Sequence, residues 1–161
     1  MVIRQVKKTD AAAIAEIYNW YIESGIVSFE EEPVSSGEIS KRFERADDTN
    51  PWLVFEVDNQ LVGYAYAIPW KARIAYRHSK ESTVYIHKEH LGKGYGLKLM
   101  QTLIDDLRNK PIHVLIAGIA LPNEASIRLH EKLGFKKIGR FEEVGMKFNK
   151  MIDVGYWQLT L

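Results

Sequence analysis

Residues 82–100 read STVYIHKEHLGKGYGLKLM, an apolar strand-like run that passes through three glycines within five positions and straight into an amphipathic helix. Leu97, Met100, Leu103, Ile104 and Leu107 mark the helix, falling on one face at helical spacing. Glycines this dense between strand and helix gather bare backbone N–H groups beside the positive end of a helix dipole, and that combination makes an anion site. A phosphate-bearing ligand is the natural expectation. A nucleoside triphosphate is not, because its loop needs GxxxxGK followed by Ser or Thr for magnesium, and Gly92-Lys93-Gly94-Tyr95-Gly96 has neither the spacing nor the hydroxyl. A dinucleotide site needs GxGxxG after the first strand of a parallel unit, whereas this loop follows a long antiparallel stretch. Taken alone, the glycines are explained as well by a tight turn.

The rest of the chain supplies the context. VIRQVKK alternates like a strand, and Thr9 or Asp10 then stands ready to cap a helix carrying Ile14, Ile17, Tyr18, Tyr21 and Ile22, ended by Gly25. SFEEEPVSS is irregular, and Glu38 to Ala46 forms a second short helix before the break at Asn50-Pro51. WLVFEV and QLVGYAYAIPW flank Asp58-Asn59 as an antiparallel hairpin. The basic loop KARIAYRHSK leads to STVYIH, Pro111 closes the glycine-headed helix, and IHVLIAGIAL reads as a buried strand. Asn123 opens a last helix ended by Gly134, and FKKIGRFEEV with MIDVGYWQLTL makes a closing strand pair. The order βααβββαβαββ predicts a single α/β (α+β) domain over residues 1–161, a mixed sheet with helices on both faces.

With 161 residues, 46% of them hydrophobic, such a domain can bury roughly 70% of its unfolded surface. Acids and bases nearly balance at a net charge of +1, which argues against a broad nucleic-acid face. There is no cysteine for a disulfide, a thiolate nucleophile or a cysteine-held metal. MVIRQVKKTD has no signal-peptide core, and no apolar run approaches the roughly 18 residues of a membrane span. These features predict a soluble cytoplasmic protein with neither nucleic acid nor membrane as partner.

GKGYG after STVYI, followed at a distance by NEASIRLHEKLGF, resembles the GNAT N-acetyltransferase superfamily, and the resemblance spans essentially the whole chain. More narrowly, SFEEEP, PWKARIAY, ESTVYI, LPNEASIRLHEKLGF and GMKFNKMIDVGYWQ, in that order, are similar to the phosphinothricin and methionine sulfoximine acetyltransferases. The resemblance implies the GNAT acyl-CoA N-acyltransferase fold with a mostly antiparallel sheet, acetyl-CoA as co-substrate, no metal, and a homodimer. It sets the cofactor's pyrophosphate on Gly92, Lys93, Gly94, Tyr95 and Gly96. The chain departs from the pattern at Leu91, where Gln or Arg is usual, and at Asn149 and Met151, which replace a glycine and an aromatic. The first loses a side-chain contact but no backbone amide; the second bears on the substrate-side wall or the subunit contact.

Acetyl transfer to an amine needs a neutral nucleophile, a polarised thioester and a protonated thiol. Glu81, at the mouth of the STVYI strand, is suited to take the ammonium proton directly or through water, although a glutamate at a strand start is ordinarily just solvated. The resemblance puts the family's catalytic glutamate there. His130 lies seven residues after Asn123, two helical turns on, so Asn123, Ser126 or Ile127, and His130 share a stripe. In this subgroup His130 takes the place of a tyrosine that elsewhere donates a proton to the departing thiolate, and an imidazole exchanges protons near neutral pH. A pantetheine arm can pair with the STVYI strand as an added strand, with an N–H of Val84, Tyr85 or Ile86 for the developing oxyanion. By resemblance Asn123 also bonds pantetheine, beside Ser126.

An amino-acid acceptor presents a carboxylate, which points to Arg73 in KARIAYRH with help from Lys71 and Tyr76, against the plain reading of a solvated basic loop. Phe29 is placed to cover a short substrate side chain, and Thr83 completes the expected acceptor set. His87 and His90 lack a third metal ligand at suitable spacing. The apolar ending VGYWQLTL is compatible with a buried subunit interface. The activity expected is acetylation of the α-amine of a phosphinothricin- or methionine sulfoximine-like compound. Its alternatives are a polyamine or peptide amine acceptor, or an acyl-CoA-binding module without catalysis.

Overall fold

The structure, a computed structural model, describes residues Met1–Leu161. Its elements follow the expected order: β1 (Val2–Gln5), α1 (Ala11–Ser24), α2 (Ser36–Phe43), β2 (Trp52–Val57), β3 (Gln60–Pro69), β4 (Ser79–Ile86), α3 (Tyr95–Arg108), β5 (Val114–Leu121), α4 (Glu124–Lys132), β6 (Lys136–Lys147) and β7 (Lys150–Thr160). One seven-stranded sheet takes the order β1-β2-β3-β4-β5-β7-β6, antiparallel except for the parallel pair β4 and β5.

Alternation along the strands divides the core in two. Leu53, Phe55, Ala65, Ala67, Leu115 and Ala117 point to the face covered by α3, whose Leu99, Met100, Leu103 and Leu107 are fully buried. Trp52, Val54, Tyr64 and Tyr85 point to the other face, under α1 and α2. Leu129 and Leu133, at the end of α4, join the α3 layer. Burial of one such side chain contributes about 1.5–3 kcal/mol, so these two layers hold the sheet between them. On the α1/α2 side the helices pack over β2, β3 and β4, whereas the half-face over β5, β7 and β6 carries neither α1 nor α2 in its core.

Local signals account for most boundaries. Asp58 and Asn59 turn the β2–β3 hairpin at φ of 51° and 62°, as expected. Ser35 caps α2 through the Glu38 N–H, so that helix runs from Ser36 to Phe43, not from Glu38 to Ala46. Asp10 precedes α1 without capping it, because its carboxylate is taken by Arg4 and by the Lys7 N–H. The expectation for VGYWQLTL needs correction. It forms β7 inside the sheet, where Trp157 and Leu159 are core residues, while Phe141, Val144 and Met146 on the neighbouring edge strand β6 are exposed.

Candidate active site

The site begins where the sheet opens. β4 and β5 pair only from Ser79 to Glu81 against Val114 to Ile116 and then separate, although both strands continue. His87 N–H bonds to Val62 on β3, while the Ile86 carbonyl accepts from the Tyr21 hydroxyl on the opposite edge. Strand alternation therefore turns the peptide groups of Ser82, Val84 and Ile86 toward the opening and those of Thr83 and Tyr85 toward β3. Of the three expected oxyanion donors, Val84 and Ile86 face the gap and Tyr85 does not.

A cavity of about 330 Å³ fills the opening. Glu81, Thr83, Tyr66 and Phe29 line it on the α1/α2 side, and Asn123, Ser126 and His130 line it from α4. The stripe predicted for α4 thus does converge on one space. Asn123 caps α4 by accepting from the Ser126 N–H at 3.1 Å. Burial raises the pKa of Glu81, and the nearby Lys71 ammonium partly opposes the rise. Gly118 gives room to the Tyr156 ring beside the acid: a Cβ there would lie a tight 3.3 Å from that ring and in ordinary contact, 3.7 Å, with Glu81 Oε1. Phe29 is held by a second glycine, since a Cβ on Gly145 would meet its ring at 2.2 Å.

His130 is 4% exposed, and burial depresses its pKa. Its Nδ1 lies 2.8 Å from the Ser126 carbonyl, which can only accept, so Nδ1 carries the hydrogen and Nε2 is left with a bare lone pair. Nε2 is buried and has no protein partner. The ring is thereby set up to receive a proton at Nε2, not to supply one at the outset.

A second groove of about 490 Å³ continues from the first and shares Val84, Asn123 and Ser126 with it. Gly92, Gly94, Tyr95 and Gly96 form one wall. Gly92 and Gly94 adopt φ of 74° and 77°, and Gly94 is the N-terminal cap of the 14-residue α3. The first-turn N–H groups of such a helix have no intrahelical acceptor. A Cβ at Gly96 would come within 3.0 Å of Leu129, so that glycine also lets α3 and α4 approach. Lys93 stands on the exposed rim, 3.3 Å from His90 Nδ1. The groove fits a long ligand with an anionic group: glycine amides lie at one end and the free edge of β4 at the other.

Sequence reasoning missed the groove's cations. Arg128 and Lys132 line it from α4, four residues apart on one helix face, and that spacing was the available signal. It also missed Tyr66, Gly118 and Tyr156 around Glu81. The loop between β3 and β4 is less converged than expected. Lys71 lines a neighbouring depression, whereas Arg73 and Tyr76 are exposed and line neither the cavity nor the groove. His87 and His90 meet edge-on at 5.8 Å, and the chain holds no group of three potential metal ligands. No helix is long and apolar enough to cross a membrane.

Comparison with known proteins leads the same way. The model of the acetyltransferase (GNAT) domain matches residues 3–155. A phosphinothricin N-acetyltransferase of Streptomyces viridochromogenes is 42% identical, over 97% of this chain and 85% of its own. An L-methionine sulfoximine/L-methionine sulfone acetyltransferase of Salmonella typhimurium is 38% identical, over 100% and 95%. An acetyltransferase of Salmonella typhimurium, solved with its cofactor acetyl-CoA, superposes with a TM-score of 0.96 at 38% identity, covering 100% of this chain and 94% of the other. With a split sheet, a glycine-walled groove and full-length relatives in agreement, the chain belongs to the GNAT acetyltransferases, as an acetyl-CoA-dependent N-acetyltransferase of the phosphinothricin acetyltransferase type.

Proposed function

We propose that the protein transfers the acetyl group of acetyl-CoA to the α-amine of a small amino-acid analogue of the phosphinothricin, methionine sulfoximine or methionine sulfone type. The observation that carries this reading is Glu81, a half-buried carboxylate with a raised pKa at the mouth of the β4–β5 opening, next to a cation on Lys71. Acetyl-CoA supplies an activated acyl group. Gly92, Gly94 and Gly96 with the start of α3 hold its phosphates, assisted by Arg128 and Lys132, and the free edge of β4 takes the pantetheine arm beside Asn123 and Ser126.

Glu81 removes the ammonium proton of the acceptor, leaving a neutral amine to attack. A raised carboxyl pKa suits that task because it brings the base closer to the pKa of its substrate. The outward amide of Val84 donates to the carbonyl oxygen as negative charge grows there. Attack leaves an excess proton on the amine nitrogen of the tetrahedral adduct; His130 accepts it at Nε2 and gives it to the sulfur as the C–S bond breaks and the thiol departs. Lys71, with Arg73 and Tyr76 from the same exposed loop, binds the acceptor carboxylate, and Phe29, Thr83 and Tyr66 enclose its other groups. The chemistry so written requires no metal.

The same reading includes a homodimer. Val144 and Met146 on the edge strand β6, Phe148 in the turn and Met151 at the start of β7 are each more than half exposed at the end of the β6–β7 hairpin. An apolar edge of this kind is ordinarily covered. A second copy meeting the hairpin end would cover it, and a Met146→Lys, Phe148→Lys double variant should then sediment as a monomer. The activity is tested by following thiol release from acetyl-CoA with phosphinothricin, methionine sulfone, spermidine and an alanyl peptide. Turnover confined to the last two would refute the amino-acid assignment, and no turnover with any amine would favour a binding module.

A further inference from the structure

The uncovered half of the sheet has a feature that the acceptor site as described does not use. Register pairs set Glu81 beside Ile116 and Ile116 beside Gln158; the next row sets Gly118 beside Tyr156 and Tyr156 beside Gly139. Paired residues share a face, so this platform starts at Glu81 and runs across β5 and β7 to the edge strand β6. A depression of about 560 Å³ lies on it, with Ile116, Gly139, Tyr156 and Gln158 in the floor. Trp70, Lys71 and Phe141 form its walls. Phe141 meets Tyr156 edge-on at 5.6 Å, and Trp70 meets Tyr76 edge-on at 5.4 Å.

Three observations indicate what would lie there. Tyr156 borders both this depression and the cavity that holds Glu81, so the two spaces meet across one ring. The depression exists because Gly139 is bare: a Cβ there has no neighbour within 4 Å, although the residue paired with it is a tyrosine. Of the two cations at the rim, Arg140 is tied to Asp153, while Lys71 has no carboxylate partner and lies 5.1 Å over the Trp70 ring. Aromatic walls favour a flat ring, and an unpaired ammonium favours a carboxylate.

We propose that this depression is a side-chain subsite of the acceptor site, selecting α-amino acids that carry an aromatic side chain. With the amine at Glu81 and the carboxylate at Lys71, the side chain passes over Gly118 and Tyr156 and stacks between Phe141 and Trp70. The inference rests on the acceptor reading above and adds a substrate class to it.

Gly139→Leu tests it, because Gly139 lies on an exposed edge strand outside the left-handed region, its Cβ would meet no atom within 4 Å, and the isobutyl group beyond it would occupy the depression. The ratio of kcat/KM for L-tryptophan to that for L-methionine sulfone should fall by about two- to tenfold, the size of losing an aromatic contact. Calorimetry with N-acetyl-L-tryptophan and N-acetyl-L-methionine sulfone provides a readout without turnover, and only the first should weaken by a comparable factor. If neither amino acid is acetylated, the acceptor reading fails, and the calorimetry alone then judges the depression. An unchanged selectivity ratio with unchanged product affinities overturns the proposal. So does a change in sedimentation on Gly139→Leu, which would put a second copy of the chain on this surface.

Discussion

Replacing Glu81 by glutamine removes a base and almost nothing else. The amide keeps the shape of the carboxyl beside Gly118 and Tyr156, and the groove around Gly92 to Gly96 lies on other elements. If Glu81 takes the ammonium proton, kcat at neutral pH should fall by about 10²–10⁴-fold, equivalent to roughly 3–5 kcal/mol of barrier. Acetyl-CoA affinity measured by calorimetry should stay where it is. The defect should shrink as pH rises past the pKa of the substrate amine, since an amine already neutral needs no base. Stability should move the opposite way from activity. Burial raises the folded pKa of Glu81 above its usual 4.5, so ionising it disfavours the fold, and the penalty sets in as pH climbs from the ordinary carboxylate range through the raised value. Glutamine carries no such penalty. The variant should therefore melt at least as high as the parent at pH 7, with the difference closing below the ordinary carboxylate range. Near-parental kcat at pH 7, or a defect that stays constant up to a pH of about 10, well past the usual α-amino range, would refute the assignment.

Gly94→Val should leave a folded protein that binds acetyl-CoA poorly: a left-handed conformation costs a branched residue about 1–2 kcal/mol, but the new side chain meets no protein atom and stands over the amides of the loop. Unchanged affinity by calorimetry would remove the cofactor from this groove. Lys71→Ala or Arg73→Ala should raise the acceptor KM far more than that of acetyl-CoA, by the roughly 1.5–3 kcal/mol of a charge-assisted bond, and equal effects on both substrates would move the carboxylate elsewhere. Lys147→Met should likewise act on the acceptor side, because the buried Lys147 ammonium donates to the carbonyls of Ile22 at 2.7 Å and Ser28 at 2.5 Å and so ties the segment bearing Phe29 to β6. An acceptor KM that did not rise relative to that of acetyl-CoA would limit Lys147 to a structural part. Asp10→Asn should destabilise the fold by about 1.5–3 kcal/mol in denaturant titrations at pH 7, since Arg4 holds the carboxylate below its usual pKa. That stabilisation is present above the ordinary carboxylate range and is lost as pH falls through the lowered value, so the two proteins should converge in acid; a constant gap would contradict it.

The element order was legible because its punctuation is local. Asp58-Asn59, Asn123 and Gly134 act on their own turns, and each does in the structure what its chemistry requires. Strand order was not legible, since β5 enters between β4 and β7 through contacts separated by dozens of residues, and no local pattern encodes a neighbour at that distance. The misreading of VGYWQLTL has the same origin. Its apolar residues carry the signature of burial in either a core or an interface, and only the insertion of β7 between β5 and β6 decides for the core. At the site, α4 was readable because Asn123, Ser126 and His130 follow helical spacing from a recognisable cap. Gly118 and Gly145 were not, because a glycine inside a strand signals only that something approaches it, and what approaches comes from β4 and β7 in one case and from residue 29 in the other.

The single parallel pair explains why the chemistry sits where it does. An antiparallel sheet closes along its whole length as each hairpin zips from its turn, and β2 with β3 does so. β4 and β5 have no turn between them. They are joined through α3, so their pairing is anchored at one end only, at Ser79 to Glu81, and nothing obliges it to continue. Past that point β4 keeps its partner on one edge and offers unpaired amides on the other, the arrangement an extended ligand needs for strand-like pairing. The crossover that leaves the strands unzipped begins with the segment Gly92 to Gly96, so the start of α3 opens beside the free edge it helped create. Glu81, the last residue of β4 paired with β5, stands at the vertex of the opening and lines the cavity, and Val84, further along the strand, lines both that cavity and the ligand groove. A hairpin in place of the α3 crossover would close that vertex and leave β4 no free edge.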